Sequence, residues 1–278
     1  MRYITLGQDD KELSEIVLGM MRIKDKSVKE VEELVETALS VGINAFDLAD
    51  IYGRGRCEEL LGLVLKNRPD LREKMWIQSK CGIRIEEFTY FDFSKDYIIK
   101  SVDGILQRLK IDHLDSLLLH RPDALMESDQ VAEAFDLLYK QGKVRDFGVS
   151  NQNPMMMELL KKDSQAAMRD GSIFEYCKLH DVVIQAWSVL QFGYFKGNFV
   201  GNEKFQALNQ VLDRLAIKYG VTSSTIAISW ILRYPAKMQA VVGTTNPKHL
   251  REVSRAANFS LTRKEWYEIY LAAGNNLP

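Results

Sequence analysis

The stretch "INAFDLADIYGRGRCEELLGLVLKN", residues 43–67, contains one strand, one loop and one helix in that order. The apolar run 43–47 predicts a strand. In residues 57–67 the apolar positions recur every three or four residues, which is typical of a helix. A strand followed by a covering helix is the building unit of parallel α/β folds. The fold therefore depends on whether the rest of the chain repeats this unit.

The unit does recur. Apolar strand-like runs precede helical patterns in four more places: 15–20 before 26–42, 75–80 before 96–110, 115–120 before 130–142, and 144–150 before 154–162. The runs show no apolar–polar alternation, as expected for parallel strands that are covered on both faces. With 278 residues, about the size of such a barrel, the pattern predicts an α/β parallel (β/α)8 TIM barrel. We expect one domain over residues 1–278, with an N-terminal hairpin formed by 2–7 and 12–17.

The sequence predicts seven core strands, one fewer than the eight of a (β/α)8 barrel. Residues 181–187 and 239–243 predict two further strands, and 203–218 and 223–233 predict helices. Between Val149 and Val182 only helical patterns occur, so the sixth strand is missing. Either the barrel lacks this strand, or the sequence lacks a segment near Asp163 and Ser164. A seven-stranded sheet would leave two unpaired edges, so we favour the second alternative.

The composition excludes several classes of protein. The net charge of −1 and the 46% hydrophobic content argue against disorder and against a broad nucleic-acid or membrane surface. The apolar runs are shorter than the ~18 residues that a membrane span requires. The start of the chain shows no secretory signal. The three cysteines are scattered and lack metal-ligand spacing, so we expect reduced thiols, a cytoplasmic protein and no metal site. The oligomeric state stays open.

Polar residues lie at the ends of successive strands, where the active sites of barrels are found. Asp47, Lys80, His120 and Ser150 each end a strand run, and Tyr52 follows five residues after Asp47. A buried carboxylate needs a cation, so we expect Lys80 to pair with Asp47. A lysine beside Tyr52 would favour the phenolate and lower the tyrosine pKa. His120 could donate to the same substrate oxygen. The group predicts proton donation to a developing alkoxide.

These residues lie in four of five motifs that resemble those of the aldo-keto reductase family. The motifs are "GINAFDLADIYG" (42–53), "IQSK" (77–80), "LLLHRPD" (117–123), "GKVRDFGVSN" (142–151) and "VVGTTNPKHLRE" (241–252). Their order and spacing match the family over nearly the whole chain. The amino-acid sequences of these motifs are similar to those of the bacterial YdhF-like oxidoreductase subgroup.

The resemblance implies NADPH-dependent reduction of aldehyde or ketone carbonyls of a small substrate. Tyr52 would be the general acid, Lys80 would modulate its pKa, Asp47 would hold Lys80, and His120 would orient the carbonyl. A second possibility comes from proteins of this fold that bind nicotinamide cofactor but act as regulatory subunits, with slow or no turnover. The intact set of four residues argues against loss of catalysis.

The resemblance also implies a set of cofactor contacts. Ser150 and Asn151 would bind the nicotinamide carboxamide, and Trp187 would stack on the ring. The other implied contacts are Gly19, Met20 and Met21 at the ribose, Ser188, Val189 and Leu190 at the pyrophosphate, and Gly243, Thr244, Thr245, Lys248, His249 and Glu252 at the adenosine end. The family's sixth strand supplies an amide to the carboxamide, and no residue here can be assigned to it.

The adenosine end can also be interpreted from its residues. A strand end, a polar turn and Pro247 precede a helix, and such a helix N-terminus is suited to bind an anion. Lys248 and His249 add positive charge, which favours the 2′-phosphate of NADPH over the hydroxyl of NADH. Histidine is only partly charged at neutral pH.

Overall fold

The computed structural model describes residues 1–6, 11–153, 157, 173–193 and 196–275. These residues fall into two compact units. The first unit comprises Met1–Leu18, Leu34–Asn44 and Asp181–Pro278, and the second comprises Gly19–Glu33 and Ala45–His180. The single-domain organisation stays a prediction.

The strands and helices alternate along the chain as the sequence predicts. The strands are β1 (Tyr3–Leu6), β2 (Lys11–Ser14), β3 (Ile16–Gly19), β4 (Ala45–Asp47), β5 (Trp76–Cys81), β6 (Ile83–Ile85), β7 (Thr89–Phe91), β8 (Leu114–Leu119), β9 (Val144–Val149), β10 (Ile184–Ala186) and β11 (Met238–Val242). The helices are α1 (Val28–Ser40), α2 (Arg56–Asn67), α3 (Lys95–Leu109), α4 (Ser128–Lys140), α5 (Ile173–Leu179), α6 (Gln206–Tyr219), α7 (Ser223–Leu232), α8 (Pro247–Ser254) and α9 (Arg263–Ala272). Short 3-10 helices cover Met21–Ile23, Pro69–Lys74, Glu203–Phe205 and Arg255–Asn258.

The second unit is built on a parallel sheet with the strand order β4-β5-β8-β9. In its register Asp47 lies opposite Gln78, and Lys80 lies opposite Leu118. All six residues of β5 are buried, including the polar side chains of Gln78 and Lys80. Burial of both faces explains why this strand carries no polar alternation. The sheet therefore holds the ends of β4 and β5 side by side.

The first unit contains the predicted N-terminal hairpin, in which β1 and β2 pair in antiparallel orientation. Its parallel strands have the order β10-β11-β3. Helices α6, α7 and α9 contribute to a hydrophobic cluster that includes Leu212, Ile226 and Ile269. A capping box, in which Thr262 and Glu265 exchange hydrogen bonds, begins α9.

Among the described residues, the first unit has three parallel strands and the second has four, which gives the seven that the sequence predicts. No strand lies between β9 and β10 among residues 150–153, 157 and 173–183, the parts of that interval that the structure describes. The predicted helix at 154–162 extends over residues outside the described ranges, apart from Met157, which is helical. The proposed break near Asp163 and Ser164 also lies outside them.

Apart from short 3-10 helices, the sequence did not predict the antiparallel hairpin β6–β7, directly after β5, or the C-terminal helix α9. Among the described residues, no single helix is long and apolar enough to cross a membrane. One pair of helical segments, Glu203–Tyr219 and Ser223–Leu232, meets the criteria of length and composition only when joined across a 93° bend.

Candidate active site

Asp47 and Lys80 form the predicted ion pair. Asp47 is the last residue of β4, and its Oδ1 lies 2.6 Å from Lys80 Nζ. Gln78 Nε2 also donates to Asp47 Oδ1, at 2.6 Å, and Lys80 Nζ donates to the carbonyl of Leu48 at 2.7 Å. Both charged side chains are only 8% exposed. Each buried charge is thus satisfied by an opposite charge and a hydrogen bond, which is the condition for burying a pair.

Tyr52 lies on the turn between β4 and α2. Its hydroxyl accepts a hydrogen bond from Lys80 Nζ at 3.2 Å, and its backbone N–H donates to the carbonyl of Ala49. The turn requires Gly55, which has φ +87° and lies against the side chain of Arg108. A Cβ at this position would lie 2.8 Å from Arg108 Cδ. The turn thus depends on a glycine three residues after Tyr52.

His120 follows β8 and contacts Tyr52. The two rings meet edge to face, with centroids 5.8 Å apart. The imidazole is buried, and its Nδ1 has no hydrogen-bond partner in the part of the chain that the structure describes. The structure thus brings together Asp47, Tyr52, Lys80 and His120, all within the second unit.

The electrostatics differ from expectation in one respect. The expected lowering of the Tyr52 pKa is wrong for this site: burial raises that pKa above its ordinary value, although Lys80 works in the opposite direction. Burial also acts to lower the pKa of Lys80, but Asp47 and Tyr52 outweigh it and raise the value. The pKa of His120 falls to about 3 because of burial and the nearby charges of Lys80 and Arg121. At neutral pH the tyrosine and the imidazole are therefore both uncharged.

Three of the candidate cofactor residues adjoin this centre. Asn151 Nδ2 donates to Ser150 Oγ at 2.7 Å and to the carbonyl of His120 at 3.2 Å. Asn151 has a left-handed backbone, φ +62°, which asparagine tolerates better than most residues. The N–H of Met20 donates to the carbonyl of Asp47 at 2.9 Å. These hydrogen bonds hold the three residues at the same strand ends as the ion pair.

The other two candidates of the second unit differ in exposure. Gly19 ends β3 and is partly buried, whereas the side chain of Met21 is exposed.

The pyrophosphate and stacking candidates belong to the first unit and follow β10. Trp187 is 46% exposed. Ser188 has φ +56°, and its hydroxyl donates to Gln191 Oε1. Val189 and Leu190 form the turn that follows.

The adenosine candidates, also in the first unit, surround the start of α8. Asn246 caps this helix by accepting a hydrogen bond from the N–H of Lys248, and its own N–H donates to Thr244 Oγ1. Lys248 and His249 are exposed on the first turn. The remaining three candidates also lie at this end: Gly243 is exposed, and Thr245 and Glu252 are partly buried. An exposed helix N-terminus with two basic side chains fits an anionic group such as a phosphate.

A family comparison decides the identity of the fold and the class of enzyme. The sequence model of the Aldo/keto reductase family matches residues 15–272. The chain belongs to this family. It is 35% identical to oxidoreductase YdhF from Escherichia coli, with 99% of each chain covered. It is 34% identical to 6-dehydroglucose reductase from Agrobacterium fabrum, with 95% of this chain and 96% of the relative covered.

Solved structures of aldo-keto reductases and related dehydrogenases have the same fold as this chain. The glycerol dehydrogenase from Gluconobacter oxydans has a TM-score of 0.82 at 25% identity, with 99% of this chain and 97% of that chain covered. A thermostable aldo-keto reductase in complex with the inhibitor epalrestat has a TM-score of 0.79 at 26% identity, with 99% of both chains covered. The predicted fold class, an α/β barrel of the (β/α)8 type, is confirmed. This aldo-keto reductase is an oxidoreductase that binds a nicotinamide cofactor and a small carbonyl substrate.

The comparison also bears on the length of the barrel. The alignment with YdhF spans 299 positions and covers 99% of both chains, whereas this aldo-keto reductase has 278 residues. The relative therefore has internal residues without counterparts in this chain.

Sequence reasoning missed a second group of charges in this aldo-keto reductase. Glu58, on α2, is fully buried; it accepts hydrogen bonds from Ser79 Oγ at 2.6 Å and from Arg108 Nε at 2.7 Å. The N–H of Asp50 donates to the carbonyl of Lys80 at 3.1 Å. Asp50 and Glu58 both lie in the stretch 43–67, but Glu58 has the sequence pattern of an ordinary acidic residue in a first helical turn.

Proposed function

We propose that this aldo-keto reductase reduces aldehyde or ketone carbonyls to alcohols with NADPH, and that Tyr52 is the general acid. The observation that carries the proposal is the buried hydrogen-bonded series from Asp47 through Lys80 to the hydroxyl of Tyr52. Such a series places a proton donor next to a fixed positive charge. Reduction of a carbonyl needs both, because negative charge builds on the oxygen as the proton arrives.

Tyr52 is in the form that reduction requires. Burial keeps its pKa raised, so the hydroxyl holds its proton at neutral pH. When the proton is passed to the carbonyl oxygen, the phenolate that remains is stabilised by Lys80 Nζ at 3.2 Å. Asp47 in turn holds Lys80 in place. Lys80 thus acts on the product of proton transfer more than on the resting tyrosine.

His120 fits the role of orienting the carbonyl. With its pKa lowered to about 3, the imidazole is neutral and carries a single N–H. The edge-to-face contact with Tyr52 keeps the two side chains next to each other. A neutral donor can hold the carbonyl oxygen without competing with Tyr52 for the proton.

NADPH, when bound, supplies the hydride. Ser150 and Asn151 are hydrogen-bonded to each other, and Asn151 also donates to the carbonyl of His120, so the two are suited to hold the carboxamide beside the acid. The start of α8, with Lys248 and His249, is suited to hold the 2′-phosphate. We further propose a cytoplasmic location, which is supported by the buried free thiols of Cys57 and Cys81.

The proposal is tested by following the oxidation of NADPH and NADH with a panel of aldehydes and ketones. We expect turnover with at least one carbonyl and a lower KM for NADPH. The double variant Lys248→Ala/His249→Ala should raise the NADPH KM by about tenfold or more, since charge-assisted contacts are worth ~1.5–3 kcal/mol. The NADH KM should change little.

Lys264→Ala, which removes an exposed lysine on α9, is the matched control and should leave both constants unchanged. Equal KM values for the two cofactors would contradict the NADPH assignment. The absence of oxidation with every carbonyl would contradict the function.

A further inference from the structure

Asp50 and the two ion pairs next to it contain five ionisable side chains, and the charges of these five do not balance. Asp47 pairs with Lys80 at 2.6 Å, and Glu58 pairs with Arg108 at 2.7 Å. The fifth group, Asp50, has no ion-pair partner among the described residues. If all five were charged, Asp50 would be a carboxylate without a cation of its own, which is costly for a buried oxygen. The charge of Arg121 acts on Tyr52 and His120, but it is not among the main charges that shift the pKa of Asp50.

Hydrogen bonds decide which carboxyl group is the exception. Both oxygens of Glu58 are occupied, Oε1 by the hydroxyl of Ser79 and Oε2 by the guanidinium of Arg108. Asp50 Oδ1 is buried and has no hydrogen-bond partner in the described part of the chain. A carboxylate that accepts two hydrogen bonds keeps its charge, whereas one with an unsatisfied oxygen is better protonated. Burial raises the pKa of Glu58 as well, but the hydrogen bonds from Ser79 and Arg108 act in the opposite direction. Of two carboxyl groups that titrate as a pair, Asp50 is therefore the better site for the proton.

The surroundings of Asp50 raise the pKa of its carboxyl group on balance. Burial raises the pKa of Asp50 to about 7, and the charge of Glu58 acts in the same direction. Arg108 on α3 and Lys80 on β5 act in the opposite direction, as does the N–H of Ile51.

Two more titratable groups face Asp50. Burial raises the pKa values of Cys81 on β5 and Tyr97 on α3, and the carboxylate of Asp50 adds to both shifts. Neither group contributes charge at neutral pH, so neither alters the balance.

Asp50 is also connected to the catalytic centre. It lies two residues before Tyr52, and its N–H is hydrogen-bonded to the carbonyl of Lys80. The charge of Lys80 acts on the Asp50 carboxyl group, so a charge on that group acts in turn on Lys80, the partner of Tyr52.

We propose that Asp50 is a positioning residue that carries the balancing proton of this cluster, and that release of the proton to solvent weakens the reduction that Tyr52 and Lys80 support. The inference rests on the proposed function. Ionised Asp50 adds a negative charge that opposes the charge building on the substrate oxygen. It also makes Tyr52 a weaker acid. Both effects slow reduction as the pH rises through neutrality.

The first test is the pH dependence of kcat for carbonyl reduction. In the wild type we expect kcat to fall by about threefold to tenfold across neutrality, the size expected for one charge acting through a partly screened site. Asp50→Asn should abolish this step, because the amide does not ionise. Glu58→Gln should move the step to lower pH, because it removes the neighbouring negative charge. Asp136→Asn, an exposed control on α4, should keep the wild-type profile.

The second test does not depend on activity. Between about pH 4 and 7 the folded protein holds a proton on Asp50 that the unfolded chain has released. The wild type should therefore lose stability to urea relative to Asp50→Asn as the pH rises through this range, and the difference should level off above it. The infrared spectrum of the wild type at pH 6 should also show the band of a protonated carboxyl group, and this band should be absent in Asp50→Asn.

The outcomes separate the two proposals. If the stability difference between the wild type and Asp50→Asn did not change with pH, Asp50 would not carry a proton in the folded protein. An active wild type whose pH profile is unchanged in Asp50→Asn would overturn its influence on Tyr52. Failure to reduce any carbonyl would overturn the proposed function and, with it, the catalytic part of this inference.

Discussion

Replacement of Lys80 by methionine tests the buried ion pair most severely. Methionine keeps the length and apolar stem of the side chain but removes the charge that lies 2.6 Å from Asp47 Oδ1. Asp47 would then keep only the hydrogen bond from Gln78 while remaining 8% exposed. Breaking a buried pair by removing one partner costs about 3 to 5 kcal/mol, because the other charge stays buried and uncompensated. We expect Lys80→Met to lose that much free energy of unfolding.

A double-mutant cycle shows whether the cost comes from the unpaired charge. Lys80→Met/Asp47→Asn removes both charges, so its loss should fall short of the sum of the single losses by about 1 to 3 kcal/mol. The assay is urea denaturation at pH 7, with similar m-values in all variants. Lys26→Met is the control: it breaks an exposed i,i+4 pair with Glu30 and should cost less than about 1 kcal/mol. A Lys80→Met loss equal to the control, or additive single losses, would refute the reasoning.

Two further predictions concern the backbone and the histidine. Gly82→Ala should lower Tm and cost more than Gly142→Ala in urea denaturation, because its Cβ would lie 1.9 Å from Phe93 Cε1, whereas at Gly142 no atom lies within 4 Å; both have positive φ, so equal losses would contradict the steric argument. His120, with a folded pKa of about 3, binds no proton where the unfolded chain does, below about pH 6.5. Stability should therefore fall as the pH drops from about 6.5 towards 3; this slope should be absent in His120→Gln, and an equal slope there would contradict the assignment.

The repeated strand–helix units could be predicted from the sequence because their signals are local. The apolar run at 43–47 and the helical spacing at 57–67 need no knowledge of distant residues. The hairpin β6–β7 was missed because its strands have three residues each and its apolar side chains, such as Ile85 and Phe91, are exposed. Such a pattern is not typical of a core strand.

The positions of the site residues that lie at strand ends could be predicted from the sequence. Asp47 is the last residue of β4 and Lys80 the last but one of the adjacent parallel strand β5, so their pairing follows from the fold. The direction of the Tyr52 pKa did not follow, because it depends on how much solvent the folded chain excludes. The Asp50 and Glu58 group was missed because Arg108 reaches it from α3, fifty residues along the chain from Glu58.

The central claim is that Tyr52 donates the proton, and single-turnover oxidation of NADPH by Tyr52→Phe tests it most directly. Phenylalanine keeps the ring that contacts His120 and removes only the hydroxyl that Lys80 holds. General acid catalysis is worth ~10²–10⁴-fold, so we expect the rate of reduction to fall by at least about 10²-fold. The affinity for NADPH, measured by quenching of tryptophan fluorescence, should stay nearly unchanged. Wild-type rates of reduction by Tyr52→Phe on every carbonyl would contradict the account.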